Sequence, residues 1–107
     1  MGELLAYRLI KQYTYSLEPS EQMDVLCDSG QVILGVDITN NQASFLLKPD
    51  GKIYDFVSTA NSSISDTDDS ATILKIGNGS SYKKVKLKNN YTGKIKVYLS
   101  VMMLNRI

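Results

Sequence analysis

The sequence predicts an all-β fold, a single antiparallel β-sandwich or jelly-roll-like domain of seven or eight strands. Three observations carry that reading. Ile95, Val97, Leu99, Val101 and Met103 take every other position, and Val85 and Leu87 do the same; period two puts alternate side chains on one face of a strand. Turn clusters rich in Asn, Asp and Gly recur every 7–12 residues, the spacing of short antiparallel strands. No segment holds the 3.6-residue apolar period over the length of a long helix.

Taken in order, Leu5, Tyr7, Leu9, Tyr13, Tyr15 and Leu17 follow period two, broken only at Lys11. Leu4, Leu5, Leu9 and Ile10 also suit a helical turn, while Tyr13, Thr14 and Tyr15 favour strand. Residues 1–15 are therefore read as a first strand or as an N-terminal arm, with residues 16–107 forming the sandwich. Leu5, Tyr7, Leu9, Tyr13 and Tyr15 are the candidate attachment segment of such an arm.

Gln22 to Cys27 reads as a short strand, Asp28-Ser29-Gly30 as a hairpin turn, and Val32 to Ile38 as a buried β-branched strand. Ala43 to Lys48 and Lys52 to Thr59 are two strands joined at Pro49-Asp50-Gly51, a strong hairpin signal. Residues 60–70, ANSSISDTDDS, are polar and aperiodic apart from Ile64, and read as a surface loop. Ala71 to Ile76 is a further strand. The two limbs between Tyr82 and Leu104, joined at Asn89-Asn90-Tyr91-Thr92-Gly93, read as the closing hairpin.

The 107 residues suit one domain with its own core, and an apolar share of 43% is that of a globular chain. No apolar run approaches the roughly 20 residues that span a bilayer. Met1-Gly2-Glu3 opens no secretory leader, so synthesis in a cytoplasm without membrane insertion is expected. Cys27 is the only cysteine, which excludes an intrachain disulfide, and it reads as a buried small hydrophobe. Histidine is absent. That removes imidazole bases, Ser-His and Cys-His pairs and most zinc sites, so no enzyme and no cofactor is expected.

A net charge of +1 conceals an asymmetry: residues 1–70 hold all eleven acids and four cations, −7, whereas 71–107 hold seven lysines and Arg106 without an acid, +8. Such a division can be matched across one surface, or can steer the molecule towards copies of itself or an anionic partner. Lys84, Lys86, Lys88, Lys94 and Lys96 are expected on one outer face of the closing hairpin. Nucleic acid is disfavoured there for want of arginine and stacking aromatics, and outward lysines also guard against edge pairing.

Asp66, Asp68 and Asp69 could gather a hard cation. An EF-hand would need Gly where Ala71 stands and Glu where Gly77 stands, so a solvated loop is the simpler reading. Asn61, Ser63, Asp66, Asp68 and Asp69 are the candidate binding edge. Asp28-Ser29-Gly30 matches the D-[ST]-G turn of aspartic proteases, and Ile33-Leu34-Gly35 matches their later Ile-Leu-Gly run. The two lie too close in sequence, and Gln31 stands where Ala is expected, so the protease remains a remote alternative.

Leu17-Glu18-Pro19-Ser20, Val32-Ile33-Leu34-Gly35-Val36, the SISDTDDS loop and the closing NNYTGKIKVYLSV together resemble the small β-sandwich modules of bacteriophage virions. The resemblance covers most of the chain through texture, with no diagnostic motif. It implies a non-enzymatic virion part: a capsid decoration or head-fibre protein, or a tail receptor-binding module. Expected partners are copies of itself, as a homo-oligomer such as a trimer, other virion proteins, and host surface glycans. A free-standing carbohydrate-binding domain is the alternative from another class.

Overall fold

The computed structural model describes residues 5–59, 63–67 and 71–106, with the side chains of residues 5–7, 9, 10 and 104–106 outside that description. Nine strands and no helix make up the described chain: β1 (Leu5–Leu17), β2 (Gln22–Leu26), β3 (Gly30–Val36), β4 (Gln42–Leu47), β5 (Ile53–Ser58), β6 (Ile64–Ser65), β7 (Leu74–Asn78), β8 (Lys84–Asn89) and β9 (Ile95–Arg106). They form a β-sandwich. One sheet has the order β1-β9-β3-β4-β5 and the other β2-β8-β7-β6. Every pairing is antiparallel except the two-residue parallel contact of β6 with β7. No helix is long and apolar enough to cross a membrane among the described residues.

The alternation read from sequence becomes the core. Val32, Leu34 and Val36 of β3, Ala43, Phe45 and Leu47 of β4, and Ile95, Val97, Leu99 and Val101 of β9 point inward from the five-stranded sheet. Val25, Leu74, Ile76, Val85 and Leu87 meet them from the other. Each such Val, Leu, Ile or Phe side chain buried contributes on the order of 1.5–3 kcal/mol. Cys27 is fully buried between β2 and β3, as its apolar neighbours predict.

Four readings are corrected. Tyr82 to Leu104 is not a hairpin: β8 pairs with β2 and β7, and β9 with β1 and β3, in opposite sheets. Asp28-Ser29-Gly30 is likewise no hairpin turn, because it carries the chain from one sheet to the other. The β2–β3 and β8–β9 segments run side by side and make that crossing together, β2 on β8 and β3 on β9. Ala71 to Ile73 precede the strand that begins at Leu74. Finally, Ser63, Ile64 and Ser65 are buried rather than part of a surface loop.

Of the expected first strand or arm, residues 5–15 belong to β1, and residues 1–4 lie outside the described residues. Its pairing with β9 slips between Leu9 and Lys11, so Leu9 stands opposite Met102 and Lys11 opposite Val101. Met102 and Val101 are successive residues with opposite orientations. The bulge at Ile10 therefore changes the phase of the strand, and Lys11 is where the new phase begins.

Candidate functional site

The expected basic face divides in two. Lys84, Lys86 and Lys88 alternate with buried Val85, Leu87 and Asn89 along β8, so all three face outward from the four-stranded sheet. Lys96 lies at the start of β9, on the other sheet, and Lys94 just before it. Lys94 approaches Glu18 at 3.9 Å, and the Lys96 amide donates to the Asp37 carboxylate at 3.1 Å. The sequence pattern gave the correct side for each lysine but assumed one sheet where there are two.

The candidate binding edge is also rearranged. Asn61, Asp68 and Asp69 lie outside the described residues. Ser63 is buried, its hydroxyl accepting from the Asn41 amide at 2.8 Å while its carbonyl accepts from Ile73 and Leu74. It is a fastening point for β6. Asp66 is exposed and reaches a cleft of about 400 Å³ between the sheets, lined also by Ile53, Asp55, Phe56, Ile76 and Asn78. Asp55 sits in the bulge of β5 with φ of +55°, a left-handed conformation unusual for aspartate. Two carboxylates at such a cleft can accept from hydroxyl groups. Among the described residues no three potential metal ligands come together.

Tyr13 and Tyr15 are not a free arm. Their rings stack at 6.2 Å with planes 12° apart. The Tyr13 hydroxyl donates to Asp28 at 3.1 Å, and the Tyr15 hydroxyl donates to the Leu26 carbonyl at 2.7 Å. Both tie β1 to the chain end of β2, closing one side of the sandwich. Lys11 and Lys83 join Asp28 at 3.4 and 4.0 Å, which accounts for that carboxylate structurally. For Leu5, Tyr7 and Leu9 only the backbone pairing with β9 is described.

A surface the sequence reading did not single out is the outer face of the five-stranded sheet. Cross-strand partners define its rows: Gln12, Ser100, Ile33, Ser44 and Val57 in one; Thr14, Tyr98, Gly35 and Gln42 in the next. A third runs through Met102, Gln31, Leu46 and Tyr54. None of these side chains is charged; among the described residues charge enters at the two ends, where Lys96 meets Asp37 and where the Lys48 ammonium lies 4.2 Å over the Tyr54 ring. Val57 is 63% exposed and Tyr98 45%. Small residues along the middle leave shallow hollows of about 300 and 280 Å³ on either side of Ile33 and Ser44. The signal was available in the outward positions of the strands, which apart from Lys96 are Gln, Ser, Gly, Thr, Tyr or apolar.

The two broad faces therefore differ in kind, one neutral and partly apolar, the other studded with lysine. No protein-family model, curated protein or solved structure matches the chain.

Proposed function

We propose that the protein is a non-enzymatic assembly module that acts by surface complementarity, as a homo-oligomer and as one part of a larger particle. A bacteriophage virion is the setting its sequence texture suggests. The observation that carries the proposal is the outer face of the five-stranded sheet, whose three middle rows hold no charge and which is charged only at its two ends.

Exposed sheet faces of a monomer usually alternate charge with polar groups, because solvation of charge is what keeps them apart. Here two copies can lay neutral faces together without opposing like charges and without desolvating an ion. Four strand spacings of ~4.8 Å by about six residue rises of ~3.4 Å give roughly 400 Å² per copy. A pair then buries about 800 Å², below the span of stable standard interfaces. Such a contact is weak alone and becomes persistent when repeated in a ring or on a particle.

Sedimentation or light scattering across a concentration series tests this. The expected result is concentration-dependent association that Ser44→Lys and Ile33→Lys abolish while leaving the melting temperature near that of the parent. A strict monomer at high concentration, or association unchanged by both substitutions, overturns it.

A further inference from the structure

We propose that the outer face of the four-stranded sheet is a binding site for the sulfate or phosphate groups of an acidic glycan, with Lys86 and Lys88 at its centre. Lys84, Lys86 and Lys88 take positions i, i+2 and i+4 of β8, which sets their stems about 7 Å apart along one face. The strand order β2-β8-β7-β6 makes β8 an interior strand. Protection against edge pairing therefore does not explain these lysines, since the edges of this sheet are β2 and β6.

Neutralisation within the molecule explains them only in part, one carboxylate, Asp24, facing the three lysines of β8. Among the described residues no carboxylate forms an ion pair with Lys84, Lys86 or Lys88. Asp24 stands opposite Lys86 in β2. Its oxygens are engaged by the amide and hydroxyl of Ser80.

The face is also shaped. Lys86 has Gly77 as its partner in β7, and a missing Cβ there opens the floor of a groove of about 170 Å³. Gln22, Lys75, Asn78, Lys86 and Lys88 line it. A tetrahedral anion held over Lys86 and Lys88 would place neighbouring sugar hydroxyls against the Gln22 amide, which can donate and accept, and the Asn78 amide nitrogen, which can donate while its oxygen accepts from the Ile53 amide at 3.0 Å. Nucleic acid fits less well. The groove has no aromatic side chain on which a base could stack, and Asp24 interrupts any continuous track for a phosphate backbone.

Titration calorimetry of the whole chain in low salt tests the site, with a sulfated tetrasaccharide, a phosphorylated one, an unmodified one of the same length and a short single-stranded DNA. The expected result is binding of the sulfated or phosphorylated sugar that weakens steeply with added salt, with the two arms telling which group is preferred. The double variant Lys86→Gln/Lys88→Gln should weaken it at least tenfold, whereas Lys94→Gln/Lys96→Gln, on the opposite sheet, should leave it unchanged. Melting curves confirm that both variants remain folded. The proposal is overturned by absence of binding to either anionic sugar, by equal loss in the two double variants, or by tighter binding of DNA.

Discussion

The side-chain amide of Asn89, at the end of β8, donates to the carbonyl of Leu17, at the end of β1, across 3.1 Å of the sandwich interior. The same nitrogen donates to the Gly93 carbonyl at 2.9 Å, and the Asn89 side-chain oxygen accepts from the Tyr91 amide at 2.7 Å. Asn89 occupies an inward position after Val85 and Leu87 and is fully buried. One polar side chain thus ties both sheets to the connection that passes between them. Buried polar groups are tolerated when satisfied in this way, and among the described residues no buried side-chain polar atom lacks a partner.

Asn89→Leu should therefore destabilise although it keeps the branched outline of the side chain. It leaves the Leu17 and Gly93 carbonyls and the Tyr91 amide without their partner in the interior, a loss of about 1–3 kcal/mol for each group left unpaired. Urea unfolding measures it; a change under about 0.5 kcal/mol, the scatter of ordinary surface substitutions, would contradict the assigned role.

Asp24 and Ser80 should make stability depend on pH in the acid range. The Ser80 hydroxyl holds the Asp24 carboxyl below its ordinary 3.8, with the Ser80 amide and the charges of Lys84 and Lys86 adding to the effect and burial opposing it. A lowered folded-state value contributes stability that is present above pH 3.8 and disappears as pH falls through the folded value. Ser80→Ala should lower the unfolding midpoint at neutral pH, with the gap to the parent closing below pH 3.8. A gap that stays constant down to pH 2 would sink the assignment.

The alkaline limb has the opposite sign. Burial, then the hydrogen bond to Asp28, raises Tyr13 to about 12 from 10.0. Burial, then the Asp28 charge, raises the Cys27 thiol to about 12 from 9.0. The folded state holds both protons more tightly, so this stability is complete below about pH 9 and is lost as pH climbs to 12. Tyr13→Phe and Cys27→Ala should each flatten the decline between those limits, as followed by denaturant midpoints. At neutral pH Cys27 should resist a thiol reagent until the chain unfolds, because the thiolate is the reactive form.

Gly51→Ala should be costly although it changes a turn. Gly51 is buried with φ of +83°, and a Cβ there would lie 2.5 Å from the Ser81 carbonyl oxygen. The Gly51 carbonyl accepts from the Gly79 amide, so the β4–β5 turn rests against the loop before β8. The expected loss is about 1–3 kcal/mol from backbone strain alone. A thermal melt within a degree of the parent would show that the turn can move aside.

Fold class was legible because period two reports which face a residue occupies, and the faces of Val32, Phe45, Val85 and Leu99 were all readable. Partner strands were not. Val85 and Leu99 both point at the core, but from opposite sheets, and alternation is blind to that distinction. Five consecutive turn-forming residues from Asn89 to Gly93 fit a hairpin loop as well as a crossing between sheets. Ile64 was masked by its surroundings, since a two-residue strand leaves no period to detect and its serines look solvated. Their burial depends on contacts with Asn41 and Ile73, distant in sequence. The neutral face left its trace in the outward residues of β3, β4 and β9, where attention to apolar positions alone passes over what is missing.

The pairing of β1 with β9 has a consequence for biosynthesis. Leu17 is opposite Ile95, its nearest partner along the chain, some 78 residues later. At translation rates of about 5–20 residues per second, the segment made first waits on the order of 4–16 s before its neighbour has emerged. Through that interval β3 also lacks one flank, so nascent polypeptides on a crowded polysome carry open hydrogen-bonding edges side by side. The yield of folded protein should therefore respond to translation speed and to chaperones that shield extended chains.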